Sequence, residues 1–177
     1  MEARAFSGDD VTAVEAFLAR IPKGESMFFK EDITAEGTAE RWANDSSGAC
    51  RTLAWDDGTV VGYAAVIPGV GWSSHVGEIR LVVDPERRRS GIGHELARRA
   101  LIDALKAGMR KVVVEVVADQ QAAIGLFTGL GFTPEAILCN HVRDRSGELH
   151  DLMVLAHDVE DVQSVIATTG IVDELSS

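Results

Sequence analysis

The sequence contains few cysteines and no long hydrophobic run. Its 177 residues include two cysteines, Cys50 and Cys139, and neither belongs to a CxxC pair. Two isolated cysteines offer no disulfide framework and no cysteine-based metal site, which is typical of a reducing compartment. No apolar stretch is long enough to cross a bilayer, and the acidic, charged N-terminus is unlike a signal peptide. We therefore expect a cytoplasmic chain with no membrane partner and no metal.

Positive charge is also scarce, and it is concentrated in one segment. The chain has a formal net charge of −11, yet residues 80–111 hold nine lysines and arginines against four acidic residues. A local basic segment argues against a nucleic-acid partner, which would need a broad basic face, and it suits a small polyanion. The acidic remainder either serves solubility or favours a cationic second substrate, and net charge alone does not separate the two.

Hydrophobic periodicity and turn residues predict helices and strands that alternate within one domain. Helices are expected at residues 10–20, 31–44, 91–107 and 120–130. Strands are expected at Arg51–Trp55, Thr59–Ile67, His75–Val83, Lys111–Ala118, Ala136–Arg143 and Leu149–Ala156. Hairpins at both ends of a strand–helix–strand–helix unit indicate an α/β (α+β) fold with a mixed sheet. We expect this domain to occupy residues 1–156, and an acidic, partly helical C-terminal extension without lysine or arginine to occupy 157–177.

A turn rich in arginine and glycine, from Val83 to His94, joins a predicted strand to the longest predicted helix. The first N–H groups of a helix lack internal partners and carry partial positive charge, so this junction predicts an anion site. Gly91 and Gly93 have no Cβ atom and would let a phosphate approach the backbone. The turn is not a Walker loop, because no Lys-Ser/Thr pair follows Gly93. It is not a Rossmann loop, because Leu96 replaces the third glycine, and no kinase catalytic loop or metal ligands follow.

The remaining pattern is Arg-x-x-Gly-x-Gly, formed by Arg88, Gly91 and Gly93, and a second motif, QQAAIGLFTGLGF, spans Gln120–Phe132. Together they resemble the GNAT acyltransferases, in which Gln/Arg-x-x-Gly-x-Gly/Ala precedes a motif such as Asn-x-x-Ala-x-x-Leu-Tyr-x-x-Leu-Gly-Phe. The resemblance implies a single-domain GNAT fold with a mixed sheet of about six to seven strands, splayed after the fourth strand and flanked by about four helices. It also implies an N-acetyltransferase that moves the acetyl group of acetyl-CoA to a primary amine by direct attack in a ternary complex.

The same resemblance assigns the acetyl-CoA contacts. The pantetheine amides would pair, as an added strand, with backbone groups of Leu81, Val82 and Val83. The pyrophosphate would bind backbone N–H groups and arginine charge along the turn and helix start, namely Arg88, Arg89, Ser90, Gly91, Ile92, Gly93 and His94. Two residues of the second motif, Gln120 and Phe127, would complete the cofactor site. The alternative for the arginines is a solvated surface cluster.

Glu78 is the candidate catalytic residue. Several GNAT enzymes use a glutamate near this position of the fourth strand as the general base that deprotonates the acceptor amine. The alternative is structural, because strict strand alternation places Glu78 and Arg80 on one face, where they would pair. A bulge in this strand, usual in the family, would alter that pairing.

Two positions depart from the family pattern. Phe127 stands where many members have a tyrosine that protonates the departing CoA thiolate, and nothing in the sequence places the only tyrosine, Tyr63, near the thiol. Gln120 stands where asparagine is usual. A thiolate is a fair leaving group, so the acid is useful rather than required. Two alternatives stay open: transfer of a longer acyl group, or a catalytically silent CoA-binding regulatory module. The family also implies a small-molecule or peptide amine as acceptor, and homodimers through the last strands are common in it.

Overall fold

The computed structural model describes residues 1–23 and 30–159, and this part of the chain forms a seven-stranded sheet with helices on both faces. The strands are β1 (Glu2–Ala5), β2 (Cys50–Asp56), β3 (Thr59–Pro68), β4 (Val76–Val83), β5 (Lys111–Val117), β6 (Thr133–Arg143) and β7 (Leu149–Asp158). The helices are α1 (Val11–Leu18), α2 (Thr38–Ala43), α3 (Ile92–Lys106) and α4 (Gln121–Gly129). The expected fold class, a single domain with a mixed sheet and four helices, is confirmed. None of the described helices is both long and apolar enough to cross a membrane.

The strands lie in the order β1-β2-β3-β4-β5-β7-β6. Within the described residues, β4 and β5 are parallel neighbours, and every other adjacent pair is antiparallel. The parallel pair needs a crossover connection, which α3 provides. The turn before α3 and the turn after β5 therefore meet at the carboxyl ends of two adjacent strands.

Apolar side chains cover both faces of the sheet. Ile79 and Val114 are buried against α3 and α4, whereas Tyr63 and Val82 are buried against α1 and α2. The pairing of β4 with β3 has no register shift between Gly77 and Val83. Successive residues of β4 therefore point to opposite faces throughout this strand.

The sheet opens between β4 and β5. The two strands pair from Val76 with Lys111 as far as Ile79 with Val114, and no pairing of later residues occurs between them. β4 then stays paired to β3, while β5 stays paired to β7. The expected splay of the central sheet is therefore present, and it leaves a gap along the last residues of β4.

α2 is shorter than the helix expected over 31–44. The Asp32 carboxylate accepts hydrogen bonds from the Thr34 backbone N–H at 3.0 Å and from the Thr34 hydroxyl at 2.7 Å. Such a local turn competes with helix formation. Gly37 then adopts a φ of +75°, in the left-handed region, and the helix begins only after it.

The first and last strands along the chain differ from the expectation. β1 was not predicted, because four residues at a sheet edge carry too little pattern to be recognised. β7 continues to Asp158, two residues beyond the end of the strand expected over Leu149–Ala156. The extension expected over 157–177 lies outside the described residues from position 160 onward.

Candidate active site

A cavity of about 580 Å³ occupies the gap between β4 and β5. Its walls come from both strands, from α4 and the residue before it, and from the β6–β7 hairpin. Because the gap interrupts the sheet, the cavity is lined by residues from both faces. One end is apolar and the other is charged.

The apolar end lies on the α3 and α4 side. Seven apolar side chains line it: Ile79, Leu81, Val114, Val116, Ala123, Leu126 and Phe127. The edge of β4 has no strand partner along this wall because β5 has diverged from it. An extended chain carrying amide groups would find apolar walls here and an unpaired strand edge.

The charged end lies on the opposite side and contains two glutamates that share one ammonium group. The Nζ atom of Lys30 lies 2.7 Å from Glu78 Oε2 and 2.8 Å from Glu115 Oε1. The Nε atom of Arg80 lies 3.1 Å from Glu78 Oε1, and an Nη atom lies 3.0 Å from Glu31. The Glu78–Arg80 pairing that alternation allows is therefore present, and the register of β4 contains no bulge to separate the two.

These contacts keep both basic groups protonated. Partial burial opposes charge on Lys30, but its hydrogen bonds to Glu115 and Glu78 outweigh that effect and raise its pKa. Partial burial likewise opposes charge on Arg80, and the field of Glu78 and the hydrogen bond to it raise the pKa of the guanidinium. The charged end is thus a network of three carboxylates and two cations.

The turn between β4 and α3 is anchored from beneath by a buried carboxylate. Asp84 is 6% exposed and accepts hydrogen bonds from Arg20 Nε at 3.0 Å and from the Glu86 N–H at 3.1 Å. Arg87 pairs with Asp56 at 3.0 Å, which ties the turn to the β2–β3 hairpin. These contacts fix the entry to α3.

Two left-handed residues shape the rest of this turn. Arg89 has a φ of +62° and Gly91, which precedes α3, has a φ of +87°. Gly93 follows in the first turn of the helix, where a Cβ atom would lie 3.7 Å from both Val83 and Leu126. The start of α3 therefore sits close to the carboxyl end of β4 and to α4, at one end of the gap.

The predicted cofactor residues fall into three groups. Leu81, Gln120 and Phe127 line the cavity itself. The second group, exposed or partly exposed on the turn and the start of α3, comprises Val83, Arg88, Arg89, Ser90, Gly91, Gly93 and His94. Two side chains face protein instead: Val82 packs in the α1–α2 core, and Ile92 packs in the α3–α4 core. For these two residues only backbone groups are available to a ligand, and their role as cofactor contacts stays a prediction.

The aromatic residues agree with the departure noted in the sequence. Phe127 is 3% exposed and packs edge-on against Phe132, with ring centroids 5.2 Å apart. Tyr63 stacks on Trp42 at 4.3 Å in the other core, and burial raises its pKa. Tyr63 does not line the cavity, so among the described residues no tyrosine hydroxyl is offered there.

Among the described residues, one group of potential metal ligands lies outside the cavity. The ligand atoms of Asp144, Glu148 and His150, on the last hairpin, lie within 4.8 Å of one another. His150 lies 3.1 Å from Asp144 and 3.4 Å from Asp119, and the contact with Asp144 contributes most to the raised pKa of His150. These contacts link the hairpin turn to the segment that follows β5.

Sequence reasoning missed Lys30 and Glu115. Glu115 had a signal, because it is the one charged residue inside the apolar run Val112–Val117. A carboxylate there must have a partner or reach a cavity. Lys30 had no comparable signal, because its partners lie 48 and 85 residues away along the chain.

Comparison with known proteins agrees with this architecture. Residues 18–132 match the family model of the Acetyltransferase (GNAT) family. A mycothiol acetyltransferase from Nocardioides sp. is 33% identical over 148 residues, which cover 73% of this chain and 49% of that relative. The ribosomal protein bS18-alanine N-acetyltransferase of Escherichia coli is 32% identical over 76 residues, which cover 43% of this chain and 51% of that relative.

The chain covers only part of its curated relatives, and it shares its fold with solved structures. The chain spans between 26% and 51% of the length of the curated relatives that it matches. The yncA protein of Salmonella typhimurium, solved with its cofactor acetyl-CoA, has a TM-score of 0.77 and 20% identity, covering 90% of this chain and 94% of that one. At this identity the likeness concerns the fold alone.

Proposed function

This chain belongs to the GNAT acetyltransferase family, and from that premise we propose that it moves the acetyl group of acetyl-CoA to a primary amine. The observation that carries the proposal is the cavity between β4 and β5, which is apolar at one end and anionic at the other. An acyl thioester with its extended pantetheine suits the apolar end. A cationic amine suits the anionic end.

The residues around the gap fit acetyl-CoA. The edge of β4 at Leu81–Val83 would donate to and accept from the pantetheine amides, in the manner of an added strand. The N–H groups that follow Gly91 would receive the pyrophosphate at the start of α3. The left-handed φ of Gly91 and the open space around its missing Cβ leave the backbone accessible there.

Transfer requires the amine to lose a proton before it attacks the thioester carbonyl. Freeing an alkyl amine of the lysine type at neutral pH costs about 4–5 kcal/mol, and an α-amine costs about 1–1.5 kcal/mol. Glu78 lies at the charged end and would accept this proton, directly or through water. Backbone N–H groups near Val82 and Val83 would stabilise the oxyanion. The carbon–sulfur bond then breaks and CoA leaves as its thiolate.

Phe127 gives the leaving group no proton, and the proposal does not need one. A thiolate whose conjugate acid has a pKa of about 8.5 departs without strong assistance. The buried edge-on packing of Phe127 instead supplies an apolar wall beside the thioester. A phenylalanine at position 127 would also suit a CoA-binding module that does not catalyse transfer. A measurement of turnover separates the two functions.

The test is release of CoA thiol from acetyl-CoA with a panel of amines, in the native chain, in Glu78→Gln and in the control Glu135→Gln. Glu135 is an exposed glutamate paired with Lys111 outside the cavity. We expect Glu78→Gln to lower the rate most at low pH, where few amines are already neutral, while the KM for acetyl-CoA stays within about two-fold.

Three outcomes would contradict the proposal in whole or in part. CoA binding without thiol release, across amines and pH, would favour the silent module. A pH–rate profile that is unchanged in Glu78→Gln would remove Glu78 from the mechanism, even if transfer occurs. Faster turnover with longer acyl-CoA thioesters would mean that the transferred acyl group is longer than acetyl.

We also propose that the protein is cytoplasmic and forms a homodimer. The free thiols of Cys50 and Cys139 support a reducing, cytoplasmic setting. The hairpin of β6 and β7 exposes Ile137, Leu138 and Leu149, which are 58%, 36% and 46% exposed, and a homodimer contact would fall there. Sedimentation of the native chain tests whether it forms this homodimer.

A further inference from the structure

The charged end of the cavity holds an ammonium group between two carboxylates, and we infer that the acceptor amine binds there by displacing it. Glu78 and Glu115 form the seat, and Lys30 occupies it when no acceptor is bound. The inference rests on the proposed acetyl transfer and names its acceptor class. It assigns Glu115 a direct part in acceptor binding and Lys30 the part of an internal competitor.

The two glutamates are placed by the splay itself. Ile79 and Val114 are the last paired residues of β4 and β5, and Glu78 and Glu115 flank this point on the two strands. Their side chains are 21% and 24% exposed, so they are held by the sheet and remain accessible from the cavity. Both carboxylates reach one nitrogen at hydrogen-bond distance, which defines a position for an ammonium.

The neighbouring charges leave this seat anionic once Lys30 moves away. The charge of Arg80 is shared between Glu78 at 3.1 Å and Glu31 at 3.0 Å. Three carboxylates then face a single guanidinium. An incoming ammonium group restores the charge balance of this cluster and replaces the hydrogen bonds of Lys30 with equivalent ones. No buried charge is then left unpaired, whether Lys30 or the acceptor occupies the seat.

Lys30 is suited to exchange rather than to permanent closure. Its side chain is 45% exposed, about twice as exposed as either glutamate, and it comes from outside the sheet. Ion pairs this exposed contribute little to stability, so an acceptor of modest affinity can replace them. The raised pKa of Lys30 keeps it protonated, so it occupies the seat as an ammonium ion.

The same charges select the acceptor class. A carboxylate beside the amine would lie near Glu78, Glu115 and Glu31, and like charges in contact oppose binding. Arg80 does not compensate for this, because its charge is already engaged. The seat therefore fits a primary amine without an adjacent carboxylate, such as an alkyl amine or the amino group of an amide or peptide.

The probes are L-alaninamide and L-alanine, which differ in the carboxylate beside the same amine. The variants are Lys30→Met and Glu115→Gln, and their matched controls are Lys111→Met and Glu135→Gln. The control residues form a lysine–glutamate pair between the start of β5 and β6, outside the cavity. Each chain is titrated with both probes by calorimetry in the presence of CoA, and thiol release from acetyl-CoA is measured separately.

We expect Lys30→Met to tighten L-alaninamide binding and lower its KM by about five-fold, because the competitor is gone. Glu115→Gln should weaken binding and raise that KM by about ten-fold. The KM for acetyl-CoA should change by less than about two-fold in both, and the controls should match the native chain. L-alanine should bind the native chain at least about ten-fold more weakly than L-alaninamide, and Glu115→Gln should narrow that gap.

Several results would overturn the inference. They are unchanged or weaker alaninamide binding in Lys30→Met, no difference between Glu115→Gln and Glu135→Gln, or equal binding of the two probes. Tighter binding of L-alaninamide cannot arise from a misfolded chain. The Lys30→Met result therefore tests the inference even if Glu115→Gln is unstable. The expected binding pattern without thiol release from any chain would refute acetyl transfer and leave the ammonium seat standing.

Discussion

Replacing Gly91 with alanine tests whether the start of α3 binds a ligand, because the same change can be made at the other end of that helix. Gly91 has a φ of +87° before the helix, and Gly108 has a φ of +76° after it. A Cβ atom at either position would meet nothing within 4 Å. The cost of each substitution is therefore backbone strain alone, about 1–2 kcal/mol for an L-residue in the left-handed region.

The two substitutions should be alike in stability and unlike in function. Each should lower the melting temperature by about 2–8 °C, given the size of the chain. In Gly91→Ala, relief of the strain would rotate the N–H groups that receive the pyrophosphate. Loss of one such charge-assisted hydrogen bond costs about 1.5–3 kcal/mol, so the KM for acetyl-CoA should rise about ten-fold or more.

The assays are thermal unfolding and thiol-release kinetics with acetyl-CoA varied at a fixed amine concentration. Gly108→Ala should leave the KM for acetyl-CoA unchanged, since its turn lies at the far end of α3. An equal rise in both variants would mean that the effect comes from loss of helix stability. No rise in Gly91→Ala would refute the assignment of this turn as the pyrophosphate site.

Two further predictions concern single side chains. Phe127→Tyr would place a hydroxyl on the cavity wall. We expect kcat in steady-state assays to rise by about two- to ten-fold, with an unchanged KM for acetyl-CoA. A fall in kcat would mean that position 127 does not face the thiol. Asp10 is hydrogen-bonded to Arg4, which does most to lower the pKa of this carboxyl to about 2 despite opposing burial. That contact should stabilise the fold above pH ~4 by about 1 kcal/mol after solvent screening, and its contribution should be lost as the pH falls from about 4 to 2. Asp10→Asn should therefore unfold more easily than the native chain at pH 6 and equally easily at pH 2 in thermal melts, and a constant difference would refute the pKa assignment.

The sequence predicts well what depends on neighbours along the chain. The β2–β3 hairpin follows from Asp-Gly between two apolar runs. It was found with β2 one residue longer at each end and β3 one residue longer at its outer end. α3 follows from helical spacing between Gly91 and Gly108, and it was found within one residue of its expected ends. In each case the signal and the structure occupy the same short segment.

Features that depend on distant residues were predicted less well. Nothing in the apolar runs of β4 and β5 says where their pairing ends, and the splay was expected only through the family resemblance. α2 was overestimated because the turn at Asp32 competes with the helix. The pairing of Lys30 with Glu78 and Glu115 joins three segments that carry no common pattern.

The interruption of the sheet between β4 and β5 also bears on the order in which substrates bind and products leave. In the proposed reaction the two substrates approach from opposite faces of the sheet, and their reactive groups meet inside it. Neither substrate then needs to leave before the other enters, and spent CoA does not have to pass the acetylated product. A single molecule that joins a pantetheine arm to an amine would be held from both faces at once, and its two halves would raise each other's effective concentration.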